Sequence, residues 1–445
     1  MRGMTWWSDG KESRLLAAQG DYLFALDPAT GKLIESFGAG GKTDIRQGIE
    51  GNPEEFRFGL STPGIVYKDL YIMGSGLSEN VGAPAGDIQA YSVRSGKLAW
   101  VFHTIPRPGE LGYDTWPEGT WKMQGGANAW AGLSVDVERG MVFASTGSAV
   151  EDFHGATRLG ANLFANCIIA LNAATGERIW HYQTVHHDLW DKDLSAQPNL
   201  MTIKRNGKKV DVVAQISKQG YVFVLNRATG EPIFPIEEKP MPKAVMDGDE
   251  AWPTQPIPTK PPSFVRTHLG PGDLTNISPE ANIAAKARLA ALRYEGIYTP
   301  VDEKETLIMP GIVGGGEWGG AAHHPSSGML YVNANELPYT IKMVKMLEGD
   351  NLTPYQEGRN AYARFCSSCH GMDRSGGEHM GYTPPLMNLK ARMTKDQVRT
   401  IVTDGKGRME ALPWLTRRPG RFENLAAFLF DEGADEQNEG EGTEF

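Results

Sequence analysis

Ala170-Leu-Asn-Ala-Ala-Thr-Gly176-Glu-Arg-Ile-Trp180 reads as strand, tight turn, strand, and variants of the phrase recur along the chain. They are Ala25-Leu-Asp-Pro-Ala-Thr-Gly31-Lys-Leu, Ala90-Tyr-Ser-Val-Arg-Ser-Gly96-Lys-Leu-Ala-Trp100 and Val224-Leu-Asn-Arg-Ala-Thr-Gly230-Glu-Pro-Ile-Phe234. Asp, Asn or Ser opens the turn, Gly takes the positive φ, and an aliphatic or aromatic residue re-enters the core. A second pattern interleaves with it: Trp130-Ala-Gly132 leads to Gly140-Met-Val-Phe143, and Trp318-Gly-Gly320 leads to Gly328-Met-Leu-Tyr331. Hairpins recurring every few dozen residues predict a mainly β chain folded as a propeller, each blade a small antiparallel sheet. An open sandwich or a solenoid is the plainer alternative. Long stretches at 104–124, 148–162 and 236–300 would be loops, and loops on one propeller face usually build the site.

Near residue 345 the texture changes. Helical patterns appear at Pro354–Phe365, Thr394–Val402 and Arg421–Phe430, and an acidic stretch follows from Asp431 to the end. The predicted division is therefore a propeller over 1–345, a small all-α domain over 350–432, and a disordered acidic tail over 433–445.

Bulk properties agree with this division. At 445 residues the chain is too long for a single ordinary core. Its 53 glycines and 11 tryptophans suit a turn-rich β fold with large aromatic fillers. A net charge of −10 argues against a nucleic-acid partner, because a phosphate-binding surface needs clustered cations. No apolar run is long enough to span a bilayer, and the opening Met-Arg-Gly-Met-Thr-Trp-Trp is not a secretory signal.

Of three cysteines, Cys167 lies in an apolar strand and reads as a small buried filler, so no disulfide framework is expected. The other two form Cys366-Ser-Ser-Cys369-His370, the attachment motif of a c-type haem. A Cys pair alone could be redox-active or bind zinc, but His370 follows directly and no second Cys pair completes a zinc site. His370 is the expected proximal iron ligand. The sixth ligand would be Met409, in Gly405-Lys-Gly-Arg-Met409-Glu, with Met372, Met380 and Met387 as rivals. Haem attachment of this kind takes place outside the cytoplasm, so a periplasmic location is expected.

Several phrases resemble the PQQ-dependent (quinoprotein) dehydrogenases, and among them the membrane-bound glucose dehydrogenase branch. They are Arg2-Gly-Met-Thr-Trp-Trp, Gly74-Ser-Gly-Leu-Ser-Glu79-Asn80, Val185-His-His-Asp-Leu-Trp190-Asp191, Arg293-Tyr-Glu-Gly-Ile-Tyr-Thr-Pro300 and Glu317-Trp-Gly-Gly320. The likeness covers about residues 1–340, and the helical part is similar to a cytochrome insert of some members. It implies an eight-bladed type of propeller, here incomplete with roughly five or six blades, and hence a fragment of a longer protein.

The resemblance also implies cofactors and roles. Arg2 would pair a PQQ carboxylate, Thr62 and the Gly76–Ser78 backbone would line the cofactor, and Glu79 would reach Ca2+ or Mg2+. Asp273 would be the catalytic base and Lys304 the cation on the quinone oxygens. Read alone, Asp273 is equally a helix cap and Lys304 a turn lysine. His186, His187 and Trp190 would either contact the cofactor or pack between blades. The family's alcohol-oxidising members carry an adjacent Cys pair over the quinone, which this chain lacks, so a sugar-like substrate is favoured. The expected activity is oxidation of an aldose or alcohol hydroxyl, with electrons leaving through haem c to an external acceptor. A non-catalytic propeller scaffold and a plain haem electron carrier are the competing readings.

Overall fold

The computed structural model describes residues 3–49, 58–79, 82–349, 351–377, 382–409, 411–417 and 419–432. Arg2, Met380 and the whole 433–445 tail lie outside them. The chain forms two compact units, Met1–Met343 and Val344–Phe445.

In the first unit the repeated phrases become successive antiparallel sheets. One runs through Thr5–Ser8, Ser13–Gln19, Tyr22–Leu26 and Lys42–Asp44. The next uses Ile65–Tyr67, Leu70–Met73, Ile88–Ser92 and Leu98–Phe102, and a third uses Leu133–Asp136, Met141–Ser145, Cys167–Asn172 and Arg178–Gln183. A three-stranded sheet of Asn199–Arg205, Lys208–Ile216 and Val222–Asn226 follows, then a hairpin of Gly316–His324 and Met329–Ala334. The first strand of each sheet lies against the first strand of the next, which is the arrangement of propeller blades about an axis.

The core is layered between blades. Cys167, Ile169 and Leu171 pack against Ile72, Ile88 and Ala90 of the preceding blade. Ile168 and Ala170 face the other way, onto Val213, Phe223 and Leu225 of the following one. A strand buried on both faces explains why this segment is a continuous apolar run instead of an alternating one. Cys167 is fully buried, as its apolar surroundings in the sequence predict.

The turns work as read. Asn172 accepts the Gly176 N–H at its carbonyl (2.8 Å) and the Ala174 N–H at its side chain (2.9 Å). Asn226 does the same for Gly230 and Ala228. Each glycine meets an indole from the blade before: a Cβ on Gly176 would lie 2.5 Å from the Trp100 ring, and one on Gly230 would lie 2.7 Å from Trp180. Both have φ +76°, so left-handed backbone and close approach demand glycine together. Trp180 completes the lock by donating its Nε1–H to the Arg227 carbonyl at 3.0 Å.

The 236–300 stretch is more ordered than a plain loop. It holds a hairpin, Ile236–Pro240 with Thr254–Pro258, and a helix, Pro279–Ala291. Ser278, with Pro279 behind it, caps that helix, so Asp273 is not its cap.

The second unit contains the helices expected from periodicity: Pro354–Phe365, Lys395–Asp404 and Arg421–Leu429. Thr353 with Gln356, and Thr394 with Gln397, close capping boxes at the first two. The first and last of the three cross at Gly358, where a Cβ would fall 1.9 Å from the Asn424 carbonyl oxygen.

Candidate functional site

Connections leaving the blades converge on a buried charged cluster. Its foundation is Asp188. One carboxylate oxygen accepts the Trp190 N–H (2.9 Å); the other accepts the Lys192 N–H (2.6 Å), the Ser148 hydroxyl (2.5 Å) and the Asn166 amide (2.8 Å). This anchoring bends 188–193 into a turn in which Asp191 adopts φ +54°, a conformation disfavoured for a residue with a Cβ. Strain of this sort persists only where the surroundings over-determine it.

The turn presents Asp191 and Asp193 to Lys218, which follows the strand Lys208–Ile216. Lys218 Nζ lies 2.6 Å from Asp191 and 3.2 Å from Asp193. Asp193 also accepts the Ser148 backbone N–H at 2.6 Å and the Trp130 indole N–H at 3.3 Å. The environments push the two carboxyls apart. Burial lifts Asp191 well above the ordinary range, Lys218 opposes this, and Asp193 and Asp152 reinforce it. Burial would also raise Asp193, but Lys218 and the Ser148 N–H outweigh it and hold that carboxyl low. Burial disfavours the Lys218 ammonium, yet Asp193 and Asp191 raise it above its usual value. Two neighbouring carboxyls with opposite shifts make this cluster the candidate for proton transfer. The Asp191 side chain is 16% exposed.

Glu79 approaches the same cluster from the loop after Gly76–Leu77. Its side chain is open to solvent by area but sits among protein groups, so burial and then Asp193 raise its carboxyl, against Lys218. Asp152 is raised well above the ordinary range by burial, then by Asp193 and Glu79. Gly76 lets its strand approach Phe58–Gly59: a Cβ there would lie 2.2 Å from the Ser61 hydroxyl. The Thr62 hydroxyl donates to the Trp130 carbonyl at 3.0 Å, and the Asn128 amide donates to the Ser75 carbonyl at 2.8 Å. Thr62, Gly76, Ser78, Glu79 and Trp130 thus belong to one tied set of loops, with Trp130 half-buried beside Asp193.

Other expected residues stand elsewhere. Trp190 is fully buried and edge-on to Tyr298 at 5.0 Å, a wedge behind the turn. His187 is buried with Nδ1 2.9 Å from the Gly160 carbonyl and Nε2 3.2 Å from Asp249. Asp273 is exposed in the turn Pro271–Asp273, 3.6 Å from Arg266. Lys304 is exposed, and only its backbone N–H is engaged, donated to the Asp302 carboxylate at 2.9 Å. Neither Asp273 nor Lys304 is among the charged neighbours of Asp191. The residues that do meet, Asp191, Asp193, Lys218 and Trp130, carried one sequence signal: charges alternating through Trp190-Asp191-Lys192-Asp193 beside apolar strands.

In the second unit, Cys366 ends the helix Pro354–Phe365, and one turn, Ser367–His370, brings Cys369 and His370 after it. His370 is buried, with Nδ1 3.0 Å from the Pro384 carbonyl. A carbonyl only accepts, so Nδ1 carries the proton and the Nε2 lone pair is left for a metal. Burial, then Cys369, pushes the Cys366 thiol up to about 12. Met409 and Met372 are half-buried against the same apolar cluster as Cys366, whereas Met387 is exposed.

A family model described as the β-propeller domain of PQQ-dependent glucose/ethanol/alcohol dehydrogenases matches residues 1–394. The chain belongs to this family. It is 33% identical over 335 residues to quinoprotein glucose dehydrogenase A of Acinetobacter calcoaceticus, covering 72% of this chain and 41% of that protein. Against the glycerol dehydrogenase large subunit of Gluconobacter oxydans it is 32% identical, covering 74% of this chain and 45% of the relative. The chain thus spans less than half the length of these relatives. The crystal structure of quinohaemoprotein alcohol dehydrogenase from Comamonas testosteroni superposes with a TM-score of 0.54 at 24% identity, covering 76% of this chain and 44% of that one. That likeness supports the propeller fold. No helix among the described residues is long and apolar enough to cross a membrane.

Proposed function

We propose that this chain is part of a periplasmic quinoprotein dehydrogenase that oxidises the hydroxyl of an aldose or related alcohol and passes the electrons through haem c to an external acceptor. The observation that carries the reading is the Asp191–Lys218 pair, 2.6 Å apart beside Asp193, Glu79 and the Trp130 ring. The donor set fits PQQ and a hard divalent ion. Glu79 offers carboxylate oxygens, which such ions prefer, and its raised carboxyl is relieved by a cation. Two Lys218 N–H groups face Asp191 and Asp193, and the third remains for an acceptor oxygen. The half-buried Trp130 ring suits a planar molecule. Arg2 and Thr62 remain candidates for the cofactor's rim.

PQQ, when bound, supplies a two-electron acceptor for hydride beside a polarising cation. Asp191 is the group that takes the substrate hydroxyl proton, because it is raised, partly accessible and oriented by Lys218. Asp193 holds Lys218 from the other side. The geometry supports Asp191 and Lys218 in the roles that the sequence offered to Asp273 and Lys304. Cys366 and Cys369 would hold haem covalently, His370 Nε2 and Met409 would ligate its iron, and the haem would supply a one-electron carrier.

The test is the full chain, exported in a host that attaches haem and loaded with PQQ and calcium. Haem reduction on adding glucose or glycerol, lost in Asp191→Asn and kept in Asp273→Asn, supports the assignment. Loss in Asp273→Asn with retention in Asp191→Asn would overturn the choice of base. A haem that dithionite reduces but no sugar or alcohol does would favour a plain electron carrier.

A further inference from the structure

The strands Asn199–Arg205 and Lys208–Ile216 are joined by a two-residue turn, Asn206-Gly207, with φ +49° and +77°. Positive φ at both positions continues the twist of the hairpin, so the tip is stiff. Four cations crowd it: Lys204, Arg205, Lys208 and Lys209. The register sets Arg205 opposite Lys208 and Lys204 opposite Lys209. Like charges directly across a ladder repel, and a neutral turn would close the hairpin without that cost.

Neighbouring turns neutralise their own charges. Arg94 is held by Asp9 (2.8 Å), Glu12 (2.6 Å) and Asp69 (2.9 Å). Asp136 takes both Arg139 (2.8 Å) and Arg227 (3.1 Å), and Asp211 takes Arg139 (2.6 Å). At the crowded tip only Arg205 has a companion, the Phe234 ring at 5.0 Å. Lys204, Lys208 and Lys209 are exposed, and among the described residues no carboxylate lies within ion-pair distance of them. The 137–140 turn stands beside the hairpin, tied to it by the Arg139–Asp211 pair, and exposes one acid, Glu138, and an apolar side chain, Val137, at 64%.

The chain as a whole carries −10, so unpaired cations on one stiff tip attract anions that the rest of the surface repels. The composition of the tip chooses among anions. Three of its four cations are lysines, point charges without the planar fork that reads a carboxylate, and lysine is depleted from protein–protein interfaces. A hairpin end presents a handful of side chains, whereas a specific protein partner covers about 800 Å². A sheet of phosphate headgroups makes neither demand. It attracts by summed charge, and an apolar side chain beside the cations can enter its boundary with the acyl layer. Asp191 and Asp193 precede the strand Asn199–Arg205 and the tip follows it. Its seven extended residues span about 23 Å, so docking by the tip keeps the charged cluster away from the surface.

We propose that the 204–209 hairpin tip docks the chain onto the anionic phosphate headgroups of a phospholipid bilayer, with Val137 entering beside it. The proposal depends neither on the choice of base nor on haem. The test is sedimentation of the full chain with vesicles of phosphatidylglycerol or of phosphatidylcholine. One variant combines Lys204→Gln, Lys208→Gln and Lys209→Gln; all three side chains are exposed, and an unchanged melting temperature verifies the fold. A control combines Lys32→Gln, Lys243→Gln and Lys286→Gln, exposed lysines elsewhere, with the same change in net charge. The parent should bind phosphatidylglycerol and not phosphatidylcholine. Affinity should fall about tenfold or more in the hairpin variant, stay near the parent value in the control, and weaken several-fold in Val137→Ser. Parent affinity in the hairpin variant, or equal losses in both triple variants, overturns the proposal. So does a parent that ignores phosphatidylglycerol, and if such a parent binds polyglutamate the tip belongs to an acidic protein instead.

Discussion

A base in a buried site carries a stability penalty, and its sign can be read from the charges. Asp152 is held above the ordinary carboxyl range by burial, Asp193 and Glu79. A carboxyl raised in the folded state lends stability below its unfolded value and loses it as pH rises through the folded value. Asp152→Asn, which mimics the neutral form, should therefore raise the urea midpoint at neutral pH, with the gain vanishing near pH ~4. Asp249 behaves oppositely: burial would raise it, but His187 and the Gly155 N–H outweigh this and lower it. Its contribution is present above the ordinary carboxyl value and fades as pH falls through the depressed one, so Asp249→Asn should destabilise at pH ~7 and converge on the parent in acid. For catalysis, Asp191→Asn should reduce kcat by about 10²–10⁴-fold, the usual worth of a general base, with a smaller change in KM.

Among elements, the hairpin turns and the helices were legible because their signals are local. An Asn or Asp, a glycine four residues on and an aromatic after it specify a turn whatever surrounds it. Capping boxes at Thr353 and Thr394 mark helix starts in the same way. The Cys366–His370 motif needs only five consecutive residues. The Asp191–Lys218 pair was not legible, since its members are 27 residues apart and meet only because the hairpin Asn199–Arg205 with Lys208–Ile216 brings the chain before its first strand back beside the chain after its second. Asp273 and Lys304 have the right chemistry, but the fold leaves both at the surface. His187 and Trp190 sit in the right phrase, yet brace the turn from behind. Where glycine meets indole the prediction is direct. Gly176→Ala adds left-handed strain of about 1–2 kcal/mol and an overpacked contact with Trp100 of about 1–3 kcal/mol. Thermal or urea unfolding should show the loss. Trp180→Ala, which empties the matching slot, should cost about 3–5 kcal/mol.

For the molecule as a whole, the proposed chemistry falls on two kinds of architecture: blades of antiparallel sheet suit a site that must hold several charges still, and a small helical unit suits the proposed haem. Replacing Cys366 and Cys369 with alanine in the full chain should abolish covalent haem, read by its absorption bands after acid–acetone extraction. PQQ binding, followed by quenching of tryptophan fluorescence, should persist. Loss of both together would mean that the quinone site depends on the helical unit.

The glycine-on-indole contacts run in one direction along the chain. Trp100 is made before Gly176 arrives, and Trp180 before Gly230. A polypeptide emerging amino-terminus first, from a ribosome or a secretion pore, therefore always presents a finished socket to the next plug. These blades can be laid down like courses of masonry, each course seated on the last, without waiting for the remainder of the chain to appear.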